Sequence, residues 1–229
     1  MNSEKLFMRI NAEKSFENYS QFSYLCQVRF SLNPFSNMQI KTSIFCKNLL
    51  LENNHKGMTS QILDGIKKMD FTYDLGGNRN TMKYYGNDML KRSKVYCGLY
   101  EKETDANGTK EICYISTHSG ITAFNLKSFG SSNTFYQHIE HQGSPLVLTD
   151  QGGNEIFEQS FDAWGRRRNP TDWSYNNISL SQIPLCGYTG HKMIDEFGLI
   201  NMNGRIYDPQ LCRFLAPDMK ISFDKIIYQ

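Results

Sequence analysis

From Asp70 onward the chain alternates short apolar or aromatic runs with turn residues. The runs are Phe71–Tyr73, Met82–Tyr85, Lys94–Tyr96, Ile112–Ile115, Thr122–Leu126, Thr134–His138, Leu146–Leu148 and Ile156–Phe161. Each is of strand length, rich in β-branched and aromatic residues and bounded by Gly, Asn or Asp, which predicts a succession of short strands. Residues 1–66 carry weaker punctuation. Apolar runs lie within Phe22 to Phe30 and Ile40 to Leu51, Asn33-Pro34 is the clearest break, and Gln61–Asp64 fits strand or helix.

One tetrad recurs between the runs. Asp-x-x-Gly occurs at Asp74–Gly77, Asp105–Gly108, Asp150–Gly153, Asp162–Gly165 and Asp195–Gly198. With 12 Asp and 17 Gly in 229 residues, random placement gives about one such match, against five observed. The chemistry fits a hairpin loop. An Asp side chain accepts hydrogen bonds from amides two residues on, and Gly takes φ > 0 at no steric cost. A type I turn closing into a G1 bulge is the expected product. Catalytic aspartates have no need of Gly three residues later. Three tetrads continue into a polar residue, Asn78, Thr109 or Asn154, and the first is preceded by Tyr73. Repetition of one hairpin unit predicts a mainly β fold of meandering antiparallel hairpins in an open curved sheet.

Composition narrows the function classes. Apolar residues make up 39%, while 13 Tyr and 15 Phe accompany only 2 Trp, a mixture suited to strands with one wet face. The formal charge of +2 is too small to argue for nucleic acid. The densest basic run, Arg166-Arg167-Arg168, reads as a solvated turn. The first residues show no signal-peptide core, and no stretch approaches the ~20 apolar residues of a spanning helix. The cysteines, Cys26, Cys46, Cys97, Cys113, Cys186 and Cys212, form no CxxC pair. They read as free and mostly buried thiols.

The wording of the second half resembles a known family. Tyr73-Asp74-Leu75-Gly76-Gly77-Asn78-Arg79 resembles a tyrosine-aspartate (YD) repeat. The segment from His138 to Asp218 resembles the RHS repeat-associated core. The resemblance is carried by His138, His141, Gly143-Ser144, Leu148-Thr149-Asp150, Gly153-Asn154, Tyr188-Thr189-Gly190-His191, Gly198-Leu199-Ile200-Asn201, Asn203-Gly204-Arg205, Tyr207-Asp208-Pro209 and Arg213-Phe214-Leu215. Its wording is nearer to members from Bacteroidetes than to those of insecticidal toxin complexes. The resemblance implies an unassigned segment at 1–66, YD-like hairpins at 67–137, the core at 138–218 and a divergent or truncated tail at 219–229. It implies a secreted or surface-delivered β-shell fragment with its core closure. The implied partners are the rest of an RHS shell and a C-terminal toxin or effector tail, with no cofactor.

In some family members the core is an aspartyl autoprotease. Such chemistry needs two carboxylates close enough to share a proton. Arg205 and Asp218 match positions associated with self-cleavage. The second Asp, which in the family follows the Arg, is replaced by Ile206, and the usual cleavage segment is missing. Asp208 remains as a partner, although with Pro209 it reads as the opening of a turn. Cys212 stands where the family favours Gly, and Cys186 where it favours Arg.

Other constellations give less. His138-x-x-His141 with Glu140 lacks the i, i+4 helical spacing of a metalloprotease, so the histidines read as structural and no metal is expected. Trp164 and Trp173 are read as caps on a sheet face. His191 has no nucleophile motif beside it. The first reading is therefore a structural shell module. An autoproteolytic core and a carbohydrate-binding or adhesive surface protein are the alternatives.

Overall fold

The computed structural model describes strand backbone at Phe7–Arg9, Cys26–Asn33 and Ser36–Ile44, and residues 49–216 apart from 55, 119, 182, 184 and 185. Asp218 and residues 219–229 lie outside the described residues. The first fourteen strands form one sheet in strict sequence order: β1 (Phe7–Arg9), β2 (Cys26–Asn33), β3 (Ser36–Ile44), β4 (Leu49–Asn53), β5 (Thr59–Asp64), β6 (Lys67–Tyr73), β7 (Arg79–Gly86), β8 (Met89–Cys97), β9 (Tyr100–Asp105), β10 (Gly108–Thr117), β11 (Gly120–Ser128), β12 (Ser131–Ile139), β13 (Pro145–Thr149) and β14 (Glu155–Glu158). Every neighbouring pair is antiparallel. The fold is thus a meander of antiparallel hairpins in an open sheet, as the repeated turns predict.

From β4 onward, period-2 alternation gives this sheet one buried face. Leu51 lies opposite Ile62, Ile62 opposite Met69, and Phe71 opposite Met82; all five are buried. The apolar rows resume at β10–β12, where Tyr114 faces Phe124 and Phe124 faces Phe135. Between them, on β8 and β9, the same face carries Lys94 opposite Glu103, and the buried Glu101 lies opposite Ile112. The outward face follows from the same rule. Cys113, between buried Ile112 and Tyr114, is exposed, as is Cys97 at the end of β8; Cys212, outside any strand, is exposed as well. Of the four described cysteines only Cys186 is buried, which corrects the expectation of mostly buried thiols.

The chain then folds back over the buried face. β15 (Ser160–Phe161) and β16 (Arg167–Arg168) form a two-stranded ribbon, a 3₁₀ turn spans Tyr188–Gly190, and β17 (Lys192–Ile194), β18 (Leu199–Met202), β19 (Arg205–Asp208) and β20 (Arg213–Phe214) make a small antiparallel sheet. Ile194, Phe197, Leu199, Ile206 and Leu215 share one core with Leu49, Leu51, Ile62, Met69, Phe71 and Met82. A second core gathers Ile112, Tyr114, Phe124, Leu126, Phe135 and Leu148, with Ile183 packed against it.

Two differences from the sequence expectation have physical causes. Ile156–Phe161 is two strands, because Gln159 leaves the ladder and turns inward. β9 lacks an apolar run in the sequence, since Tyr100–Asp105 alternates charged residues whose glutamates face inward. Gln61–Asp64 is strand, within β5.

Leu199 is fully buried where the two sheets meet. Leu199→Ala should cost about 2–5 kcal/mol, read as a lower urea midpoint with an unchanged slope. A separate early transition would instead mean that the C-terminal sheet unfolds by itself.

Candidate functional site

Three Asp-x-x-Gly tetrads adopt one loop. At Asp74, Asp150 and Asp162 the Asp amide donates to the carbonyl four residues on, at 2.9, 3.0 and 2.9 Å, and the Gly amide donates back to the Asp carbonyl at 3.1 Å. The carboxylate accepts from the amide of Asn78, Asn154 or Arg166, at 2.8 to 3.0 Å. These bonds have an electrostatic signature. The side chains and amides of Asn78 and Asn154 hold the carboxyls of Asp74 and Asp150 below the usual range.

The other two tetrads close differently. Asp105 pairs directly with Gly108 across a two-residue loop, with Asn107 N–H on the Asp105 carboxylate at 2.7 Å. Asp195–Gly198 forms a four-residue loop between Ile194 and Leu199. Conversely, the three-residue loop recurs where no Asp stands. Glu140–Ser144 and Asn54–Met58 carry the same pair of backbone bonds, with Glu140 and Asn54 side chains accepting from the amides of Ser144 and Met58. A pattern admitting Asn or Glu at the first position would have found both.

Three of these turns meet at one place. Gly187-Tyr188-Thr189-Gly190-His191 repeats the loop's backbone bonds, His191 O accepting from Gly187 N–H at 2.7 Å. The Tyr188 ring lies on the Asp162–Arg166 turn, and its hydroxyl donates to the Ala163 carbonyl at 2.8 Å. A Cβ on Gly165 would meet that ring at 2.5 Å, and one on Gly187 would overlap the Met193 side chain. Both glycines are required by close approach. On the other side, Thr189 N–H donates to the hydroxyl of buried Ser144 at 2.9 Å, which ties in the Glu140–Ser144 turn.

Gln159 fastens the same knot from below. Its amide donates to the carbonyls of Pro145 at 2.6 Å and Cys186 at 3.1 Å, and its oxygen accepts from Arg167 at 2.6 Å. No sequence signal marks it. Thr189 holds φ at +49°, a costly place for a β-branched residue. Its hydroxyl donates to Tyr188 O and meets His191 Nδ1, both at 2.9 Å. With that single proton on the carbonyl, His191 carries its own proton on Nδ1. Burial pushes the imidazole below its ordinary value. Arg79 adds to this, while bonding to the Thr189 and Tyr188 backbone opposes it.

A charged cluster links the two sheets beside the knot. Lys192 donates to the Tyr114 hydroxyl at 2.6 Å and meets Glu101 at 2.8 Å. Burial works against the ammonium, but Cys186, Tyr114 and Glu101 outweigh it and raise its pKa. Arg92 pairs with Glu196, and Arg167 with Asp195.

The remaining candidates are dispersed. Arg205 lies on β19 with its guanidinium over the Phe214 ring at 4.0 Å. Asp208 is fully buried and accepts from the amides of Gln210 and Leu211, after Pro209, at 2.8 and 3.2 Å. Its carboxylate closes a turn. Cys212 sits in that loop at φ +55°, which costs about 1 kcal/mol relative to Gly. His138 bonds Thr149 at 3.1 Å, whereas His141 meets Glu140 at 2.8 Å. Among the described residues the two histidines share no partner.

The Arg166–Arg168 run is not simply solvated. Arg166 lies over Tyr175 at 3.6 Å, Arg167 over Phe161 at 5.6 Å and Arg168 over Trp173 at 4.7 Å. Trp164 and Trp173 are both exposed instead of capping a sheet face. Arginines three in a row reach different rings because the ribbon alternates its faces.

The fold resembles part of TcdB2-TccC3. A crystal structure of TcdB2-TccC3 matches with a TM-score of 0.55 and 15% identity over 91% of this chain and 13% of that one. TcdB2-TccC3 without its hypervariable C-terminal region gives a TM-score of 0.55 at 14% identity, with the same coverage. In sequence, the tRNA nuclease WapA of Bacillus subtilis (strain 168) is 26% identical over 156 residues, covering 65% of this chain and 6% of that protein. Salivary gland surface protein 1 of Aedes aegypti is 23% identical over 175 residues, covering 69% of this chain and 5% of that protein. The chain spans about one-twentieth of the length of these relatives. No family model matches it. The likeness shows an RHS-like fold. No helix among the described residues is long and apolar enough to cross a membrane.

Two outcomes test the knot. Gly165→Ala combines a φ of +87° with overlap on Tyr188 and should cost about 2–4 kcal/mol, measured by urea unfolding; a neutral result would mean that the Tyr188 contact does not form. His191 provides the pH test. Its folded pKa lies below its ordinary 6.5, so the unfolded chain binds the proton more readily. Stability should be level above about pH 6.5 and decline as pH falls below it. The decline should shrink in His191→Asn, whose amide N–H replaces Nδ1–H. An unchanged profile in the variant would assign the loss to other groups.

Proposed function

We propose that the chain is a structural segment of a larger RHS-type β-shell, with its C-terminal motif string acting as the closure of the wall. One observation carries this reading. The motif residues are spent on holding turns against each other and a small sheet against a long one. Tyr188, Gly165, Ser144 and Gln159 are all engaged in that contact. In the full-length protein the wall encloses a C-terminal toxin or effector tail, and secretion or surface delivery brings it to its target. The fold likeness to TcdB2-TccC3 and the sequence likeness to WapA support this placement.

Self-cleavage is not part of the proposed role. Arg205 stacks on Phe214, Asp208 is bonded to backbone amides within its own turn, and Ile206 is a buried core residue where a carboxylate would be needed. The test is a denaturing gel of the chain expressed with the residues encoded downstream. One band at full mass is expected. A smaller product that disappears in Asp218→Ala would overturn the scaffold reading in favour of an autoprotease.

A further inference from the structure

A cavity of about 460 Å³ lies between the buried face of the long sheet and β17–β18. Most cations on its wall are already matched. Arg92 meets Glu196, Lys94 meets Glu103, Arg167 meets Asp195 and Lys192 meets Glu101. Arg79 is different. Its guanidinium lies 5.2 Å from the Tyr96 ring and 5.8 Å from that of Phe71. Its Nε and Nη2 are buried and have no hydrogen-bond partner among the described residues. Arg79, Tyr96 and Lys192 also border a second cavity of about 710 Å³, so Arg79 stands where the two spaces adjoin.

Asn201 supplies the second observation. It is 1% exposed and lines the first cavity, and neither its Oδ1 nor its Nδ2 has a partner among the described residues. It sits directly opposite Lys192 in the β17–β18 ladder. A buried amide with both ends unsatisfied costs stability, as does a buried guanidinium without an anion. Both residues line the same cavity, one with an unmatched cation and the other with an unmatched amide.

We propose that this cavity binds an acidic, extended polypeptide segment, with a carboxylate on Arg79 and a backbone peptide group on Asn201. The charge count favours a single negative charge: with Lys110 the wall carries six cations, against Glu103, Asp105, Asp195, Glu196 and the Glu101 that meets Lys192, so one positive charge is left over among the described residues. Glu103, Asp105, Asp195 and Glu196 also line the wall and would repel a phosphate dianion. A guanidinium fork fits a carboxylate in bidentate fashion, and an Asn side chain offers the one donor and one acceptor that a peptide group complements. The volume is that of an ordinary small-ligand site. Such a site exists whether or not the chain belongs to a shell.

Isothermal titration of the whole chain tests this, using acetyl-Gly-Glu-Gly-amide, acetyl-Gly-Gln-Gly-amide and inorganic phosphate as probes. The Glu peptide should bind about tenfold more tightly than the Gln peptide, since only it meets the guanidinium charge. Arg79→Lys keeps the cation but loses the fork and should weaken the Glu peptide several-fold. Asn201→Ala should weaken both peptides, while Arg213→Gln on exposed β20 should leave binding unchanged. Thermal shift of the unmodified chain gives a reading that requires no variant: the Glu peptide should raise Tm more than the Gln peptide. Absence of binding, equal binding of the two peptides, or preference for phosphate would each overturn the proposal, leaving only water-filled space beside Arg79.

Discussion

A long open sheet that carries one apolar face from β4 onward must cover that face, and nearly everything in the C-terminal third follows from that need. Exposed apolar area costs roughly 25 cal/mol per Å², and an open sheet has no second layer of its own. Here the cover is a small sheet whose Ile194, Leu199 and Ile206 enter the same core as Leu51, Ile62 and Met69. So small a cover cannot hold its position by area alone. It is oriented by the turn knot around Tyr188 and by the charged contacts of Lys192, Arg92 and Arg167.

Those charged contacts also explain why the buried face is not uniformly apolar. Glu101 and Glu103 would be errors on an isolated sheet. Opposite Lys192 and Lys94 they become registry devices. A partly buried ion pair adds little net stability, but breaking it is costly. A slip of one residue would move Lys192 away from both Glu101 and Tyr114 and leave three polar groups stranded. The apolar clusters on either side tolerate sliding far better than this band does.

The hairpins were legible because turn chemistry is local. Asp74 and Gly77 carry the information for their loop within five residues, and the same holds at Asp150 and Asp162. Asp105 and Asp195 show the limit of that code: the tetrad is the same, but flanking pairing sets a different loop length. Strand β9 was hidden because its inward positions are glutamates, whose partners come from β8 and from far along the chain. Gln159 was hidden for the same reason. Its three partners belong to Pro145, Arg167 and Cys186, and nothing local to Gln159 announces them. Cys97 and Cys113 illustrate a simpler point: on a sheet with one wet face, a small apolar residue follows the parity of its strand.

The motif string therefore reads as packing more than as chemistry. A catalytic centre needs polar groups that are held in place yet free to meet a substrate. In the knot the hydroxyls and amides of Tyr188, Ser144, Thr189 and Gln159 are already bonded to the protein, and the glycines are filled to contact by Tyr188 and Met193. The strained residues follow the same logic. Thr189 at φ +49° and Cys212 at φ +55° sit in turns held by hydrogen bonds, those of Thr189 with Ser144 and His191 and those that the Asp208 carboxylate accepts from Gln210 and Leu211 before Cys212. At Cys212 the loop takes a left-handed bend with a side chain that does not favour it. The bend is demanded by the return of the chain from β19 to β20, where Tyr207 meets Phe214. Conformation at these points is dictated by the cover's need to close, and residue choice has adjusted around it.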